Sequence, residues 1–320
     1  MAAAEDIDPQ IREFVNAING AYASFGYSAD RTYAESRAIA EKVRAPWRQG
    51  GPVMAETRER DIPTPHGAVR VRLHKPTKTA PLPAFFYNHG GGWTLFSLET
   101  HDRVMREYAA RSGACVIGID YALSPEAKFP VALEQIVAVV RWFRDHGAEL
   151  GIDGTRLAIG GDSAGGNLSL STSLKLRDCG EGSTLKGLLL IYGAFDSYRS
   201  REAAKRYGGD DYNLTDAECA VFWDNYIGGT HGVDSPLAQP MLADLTGLPP
   251  VLLTVGECDV LAEQSDRMAE RLRAADVQVR LDVYPGATHS FIEAMSISEL
   301  ANRALDEGAH WLAQILATKA

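Results

Sequence analysis

The sequence predicts an α/β fold in which a mostly parallel sheet is covered by helices on both faces. Three observations carry this. Short, unbroken apolar runs such as Ala84–Tyr87, Cys115–Ile119 and Leu157–Gly160 read as strands buried on both sides. Between such runs lie segments with apolar residues at helical spacing, Leu133, Ile136, Val137 and Val140 being one set. The 320 residues, 45% hydrophobic and 23% charged, suit a soluble globular protein of one large or two small domains.

Taken in order, residues 8–46 look helical. Ile7, Ile11, Phe14, Val15 and Ile18 recur on one face, and Tyr33 to Val43 forms a second helix. Pro46 and Gly50-Gly51-Pro52 end that region. Thr57–Ile62 and Val69–Leu73 alternate around Pro65-His66-Gly67, which predicts a hairpin. From residue 82, strands and helices alternate. The strands are Ala84–Tyr87, Cys115–Ile119, Leu157–Gly160, Leu188–Tyr192, Val251–Val255 and Val279–Tyr284. The helices are 100–112, Val131–Phe143, 164–177, 262–274 and about 297–316. Residues 195–235 break the rhythm, with a helical stretch from Asp216 to Tyr226. That insertion and residues 1–50 are expected to roof the crevice outside the strand ends, where sites in such sheets lie.

The net charge of −10, with no Lys/Arg run, argues against nucleic acid and anionic membranes as partners, since both require a positive patch. The first residues lack the basic and apolar regions of a secretory signal, and no apolar run would span a bilayer. Cys115, Cys179, Cys219 and Cys258 are scattered and form no C-x-x-C pair. Reduced thiols, a cytoplasmic location and no zinc site are therefore expected.

The chemistry gathers at three loops. Gly161-Asp162-Ser163-Ala164-Gly165 stands between a strand and a helix, the setting of a sharp turn that lifts a serine onto a helix N-terminus. Ser163 is the candidate nucleophile. A serine needs a base, an acid to orient that base, and donors for the oxyanion. His89-Gly90-Gly91-Gly92-Trp93 follows a strand, and its glycines leave backbone N–H groups open to a carbonyl. Gly91 and Gly92, with Ala164 as third donor, are the choices; Gly90 stays open, and His89 is read as a brace. His289 follows the last strand and is the candidate base among eight histidines, with His231 falling in the insertion. Asp259 follows Val251–Val255 and is the candidate acid, with Glu257 and Glu263 as rivals. Ser163, Asp259 and His289 stand in the order expected of an α/β-hydrolase.

These residues resemble the hormone-sensitive-lipase-like esterases, the bacterial family IV carboxylesterases. The matching pieces are His89-Gly-Gly-Gly, Asp120-Tyr-Ala-Leu-Ser-Pro-Glu126, Gly161-Asp-Ser-Ala-Gly-Gly-Asn167, Ser235-Pro236-Leu237, Asp259-Val-Leu and His289-Ser-Phe, spread over residues 84–291. The resemblance implies an eight-stranded α/β-hydrolase domain over 51–320. It also implies a cap from residues 1–50 and the insertion at about 195–235, and a serine esterase for short- to medium-chain acyl esters. It implies as well that no cofactor or metal is needed and, since dimers are frequent in the family, that a homodimer is possible. The chain departs from the family pattern at Ala122, Ser124, Gly193 and Ser290. Asp120 and Glu126 read as loop anchors and Asp162 as a local hydrogen-bonding group. Two other functions occur on the same fold. Amide hydrolysis of the arylformamidase type, whose motif is His-Gly-Gly-x-Trp, would use Trp93. A non-catalytic small-molecule receptor would lack the histidine that His289 supplies.

Overall fold

A computed structural model describes residues 6–26, 28, 30–228 and 234–317; His231 lies outside them. Among the described residues the eight strands are β1 (Glu56–Thr64), β2 (Gly67–Lys75), β3 (Leu82–Asn88), β4 (Cys115–Ile119), β5 (Ile152–Asp162), β6 (Leu185–Ile191), β7 (Val251–Cys258) and β8 (Val279–Thr288). They form one sheet in the order β1-β2-β4-β3-β5-β6-β7-β8. β2 pairs antiparallel with both β1 and β4, and every other pairing is parallel.

The helices are α1 (Pro9–Ser24), α2 (Tyr33–Arg44), α3 (Asp102–Ser112), α4 (Val131–His146), α5 (Ala164–Asp178), α6 (Arg201–Tyr207), α7 (Asp216–Ile227), α8 (Ala262–Ala274) and α9 (Glu299–Ala317). Successive residues of β3 show why both faces are covered. Side chains alternate along a strand, so Phe85 meets Tyr108 of α3 while Phe86 meets Phe143 of α4. α3 packs with α9, and α4 with α5. All five residues of β4 are buried, as an interior parallel strand requires. β1 is an edge and carries the exposed run Thr57-Arg58-Glu59-Arg60-Asp61, whose charges discourage pairing with another chain.

The predicted strands and long helices are present. α6 is an addition, a seven-residue helix in the insertion begun by Ser200, whose hydroxyl accepts the Ala203 N–H. Ile7 lies just before α1, where Asp8 caps the helix through the N–H groups of Gln10 and Ile11. α2 and α7 each start with a reciprocal capping box, Thr32 with Glu35 and Thr215 with Glu218.

Strand order positions the site. The chain runs from β3 outward to β4 and then returns to β5 on the other side of β3. The loop after β3 and the turn after β5 therefore lie side by side at the switch point, where a crevice opens.

Candidate active site

Ser163 holds φ 53° and ψ −117°, a conformation that non-glycine residues rarely adopt. Its neighbours hold it there. The Ser163 N–H donates to Ile191 O at 2.8 Å, and its carbonyl accepts from Asn167 and Ala194, each at 3.2 Å. The turn is so tight that a Cβ at either Gly161 or Gly165 would overlap the Asn88 carbonyl oxygen of β3. The obstacle that demands the two glycines is thus a neighbouring strand.

The imidazole of His289 reaches Ser163 Oγ with Nε2 at 2.9 Å and Asp259 Oδ2 with Nδ1 at 2.7 Å. Asp259 is 1% exposed, and its other oxygen accepts the Leu261 N–H at 2.8 Å. A carboxylate is acceptor-only, so Nδ1 carries the proton and Nε2 is left to accept one from the serine. The rivals sit elsewhere. Glu257 is exposed and accepts the Gly286 N–H at 3.3 Å, and Glu263 accepts the Ser200 hydroxyl. Ser290 takes φ 62°, so here serine occupies a left-handed position suited to glycine.

The His89 loop faces this trio. The His89 ring stacks on Tyr121 at 4.5 Å and its Nδ1–H donates to Gly90 O at 2.8 Å. Burial, with His101 nearby, pushes His89 down to about 3, so it is neutral and acts as a brace. The Gly90 N–H donates to Asp162 Oδ1 at 3.0 Å, and Tyr87 OH donates to the same oxygen at 2.7 Å. That removes Gly90 from the available donors. The N–H groups of Gly91, Gly92 and Ala164 have no acceptor among the described residues. Gly91 and Gly92 have φ 100° and 59°, and Ala164 opens α5, where the helix dipole favours negative charge.

A small, partly open cavity lies over Ser163. It is lined by Gly92, Trp93, Ser163, Ala164, Ala194 and Leu261, and by Leu214, Cys219, Phe222 and Trp223 from the segment 195–235. Among the described residues, none of 1–50 lines it. α2 instead braces the loops behind: Arg37 donates to Thr94 O and Ser124 O, and Arg44 sits 3.5 Å from Glu293. Trp93 is spent on packing, stacked on Tyr226 at 4.2 Å and against Trp223 at 4.6 Å. Asp120 and Glu126 pair with Arg70 and Arg37.

The sequence reading missed several residues. Asn213 donates to the His289 carbonyl at 3.0 Å, but in sequence it reads as an ordinary turn residue. Tyr192 packs on the imidazole at 4.7 Å, and its signal is that of a buried strand end. Cys219, Phe222, Trp223 and Tyr226 recur at helical spacing, which marks a packed face without saying against what. Among the described residues no cluster of His, Cys, Asp or Glu could hold a metal ion, and no helix is long and apolar enough to cross a membrane.

A strand-turn-helix serine, a histidine after the last strand and an acid after the strand before it define an α/β hydrolase. The profile of the alpha/beta hydrolase fold matches residues 85–293. The solved esterase of Pyrobaculum calidifontis is 33% identical and superposes with a TM-score of 0.89 over 96% of this chain and 98% of its own. EstE1, a thermophilic carboxylesterase cloned from a metagenomic library, is 32% identical with a TM-score of 0.86, over 91% and 99% of the two chains. An ester-hydrolase from the Lake Arreo metagenome, solved with a bipyridine phosphonate derivative, is 30% identical with a TM-score of 0.90, over 98% and 100%. The chain belongs to the hormone-sensitive-lipase-like, family IV branch of the α/β hydrolases, and it is a carboxylic ester hydrolase.

Proposed function

We propose that this carboxylesterase cleaves short- to medium-chain acyl esters through an acyl-enzyme on Ser163. His289 takes the serine proton as Oγ attacks the ester carbonyl. Asp259 holds the ring in the tautomer that can do so and steadies the imidazolium. The N–H groups of Gly91, Gly92 and Ala164 receive the oxyanion. His289 then gives its proton to the leaving alcohol; in deacylation it takes one from water as that oxygen attacks the acyl carbonyl, and returns it to Ser163 Oγ as the acyl–serine bond breaks and the carboxylic acid leaves. The observation that carries this reading is the unbroken relay of 2.7 Å and 2.9 Å from Asp259 through His289 to Ser163. The small apolar cavity supports a short acyl chain.

In this reading the insertion at about 195–235 roofs the site and residues 1–50 brace it from behind, the two together forming the cap over a catalytic domain of 51–320. A homodimer is carried by the family resemblance and is testable by sedimentation. Free thiols at Cys115, Cys179, Cys219 and Cys258 support a reducing, cytoplasmic setting.

Ser163→Ala tests the core of the proposal. Turnover of p-nitrophenyl acetate and butyrate should vanish, while the circular dichroism of the fold is kept. Full activity in that variant would remove Ser163 from the chemistry.

A further inference from the structure

Behind the oxyanion loop lies a polar cluster that the mechanism above leaves unused. Asp162 immediately precedes Ser163 and is 2% exposed. One of its oxygens holds Tyr87 OH and the Gly90 N–H. The other faces His101 Nε2 at 3.4 Å, at the N-terminus of α3. One carboxylate thus ties the loop bearing the oxyanion donors to the turn bearing the nucleophile. Buried as it is, its negative charge lies one residue from Ser163 and, through Gly90, one residue from Gly91. Left uncompensated there, it would oppose the charge that develops on the substrate oxygen.

The hydrogen bonds around His101 accommodate a doubly protonated ring. The Thr100 hydroxyl accepts the Ser97 N–H at 3.1 Å and donates to Ser97 O at 2.9 Å. With its proton so used, it can only accept from His101 Nδ1, 2.8 Å away. Nε2 faces an acceptor-only carboxylate, so each ring nitrogen has an acceptor in reach, as an imidazolium requires.

We propose that His101 and Asp162 form a buried ion pair that positions the oxyanion loop and cancels the charge behind it. This rests on the Ser163 reading above. The other groups facing His101 do not take over that role. His89 and Tyr87 are neutral neighbours. Glu293 and Arg44 act from further away and pair with each other, and Asp102 on α3 is engaged by Arg72, His74 and Arg106. Burial opposes the charge on His101, but Asp162 outweighs it and raises the pKa. The imidazolium therefore persists below the raised value and is lost as pH rises through it. His101 and Asp162 are positioning residues, and their signature is an alkaline limb in kcat.

The test compares wild type, His101→Gln, the double variant with Asp162→Asn, and Thr100→Val, with active sites counted by diethyl p-nitrophenyl phosphate. His101→Gln should lower kcat per titrated site by about 10²-fold, the usual effect of a misplaced catalytic group, with KM little changed. Adding Asp162→Asn removes the stranded charge and should recover part of that loss. Thr100→Val removes the acceptor for Nδ1–H and should move the alkaline limb to lower pH; it decides the matter if His101→Gln does not fold. Unchanged kcat per site in His101→Gln, a double variant no better than the single, or an unmoved limb in Thr100→Val overturns the inference. Stability lost with kcat per site intact also overturns it. If the phosphate ester fails to label wild-type Ser163, the underlying reading falls and the inference with it.

Discussion

Asp259→Asn probes the proposed relay through two fixed partners. Oδ1 accepts the Leu261 N–H at 2.8 Å and Oδ2 faces His289 Nδ1 at 2.7 Å. An amide offers one oxygen and one NH2 for these two places. With its oxygen on Leu261, it turns NH2 toward Nδ1, and the imidazole must then carry its proton on Nε2, against the Ser163 hydroxyl. In that tautomer the ring cannot act as base. Flipping the amide restores the tautomer but leaves the buried Leu261 N–H unsatisfied, at about 1–3 kcal/mol. Losing the negative charge beside the imidazolium costs about 1.5–3 kcal/mol more, the usual worth of a hydrogen bond to a charged group. At about 1.4 kcal/mol per factor of ten, kcat should fall roughly 10²- to 10⁴-fold. The assay is p-nitrophenyl acetate hydrolysis at saturating ester, with near-UV circular dichroism to confirm folding. A folded variant that loses less than tenfold would refute the argument that Asp259 sets the tautomer.

A Cβ at Gly92, where φ is 59°, would enter the Phe222 ring. Gly92→Ala should cut kcat by about 10²–10³, as for loss of one oxyanion donor, and adding Phe222→Ala should restore part of it; no recovery would assign the loss to backbone strain. Phe222→Ala alone removes a lining residue of the cavity and should shift the p-nitrophenyl ester profile toward longer acyl chains; an unchanged profile would show that this lining does not set acyl length. Burial raises the pKa of Asp102, but hydrogen bonds from His74 and Arg106 outweigh it and hold the carboxyl well below the usual range. Its stabilisation is complete above the unfolded value of about 3.9 and is lost as pH falls through the depressed folded value. Acid unfolding of Asp102→Asn should therefore be less steep than wild type in that window, and equal steepness would exclude Asp102 from the acid limb.

The core strands were legible because burial on both faces leaves unbroken apolar runs. Cys115–Ile119 is an instance, matched by β4 end to end. Ser163, Asp259 and His289 were legible because each follows a strand whose place in the chain order is readable, and the structure brings them within hydrogen-bonding distance. The choice among Gly90, Gly91 and Gly92 was not, since it turns on one hydrogen bond from Gly90 to Asp162 across 72 residues of chain. α6 was missed because Arg-Glu-Ala-Ala-Lys-Arg-Tyr has no apolar stripe and buries only Tyr207. The helices of residues 1–50 were visible in their spacing, but their docking was not. It depends on single side chains such as Tyr33 on Asn225 and Arg37 on Thr94, which leave no periodic trace.

The Asn88 carbonyl has a consequence for how this protein can change. It is a main-chain atom, so no substitution at position 88 short of refolding the strand moves it out of the way. Side chains around the turn can drift, the residues lining the cavity can be exchanged, and positions 161 and 165 remain closed to anything with a Cβ. The pentapeptide is readable in the sequence because part of it is dictated by backbone, the one component of the site that mutation cannot edit.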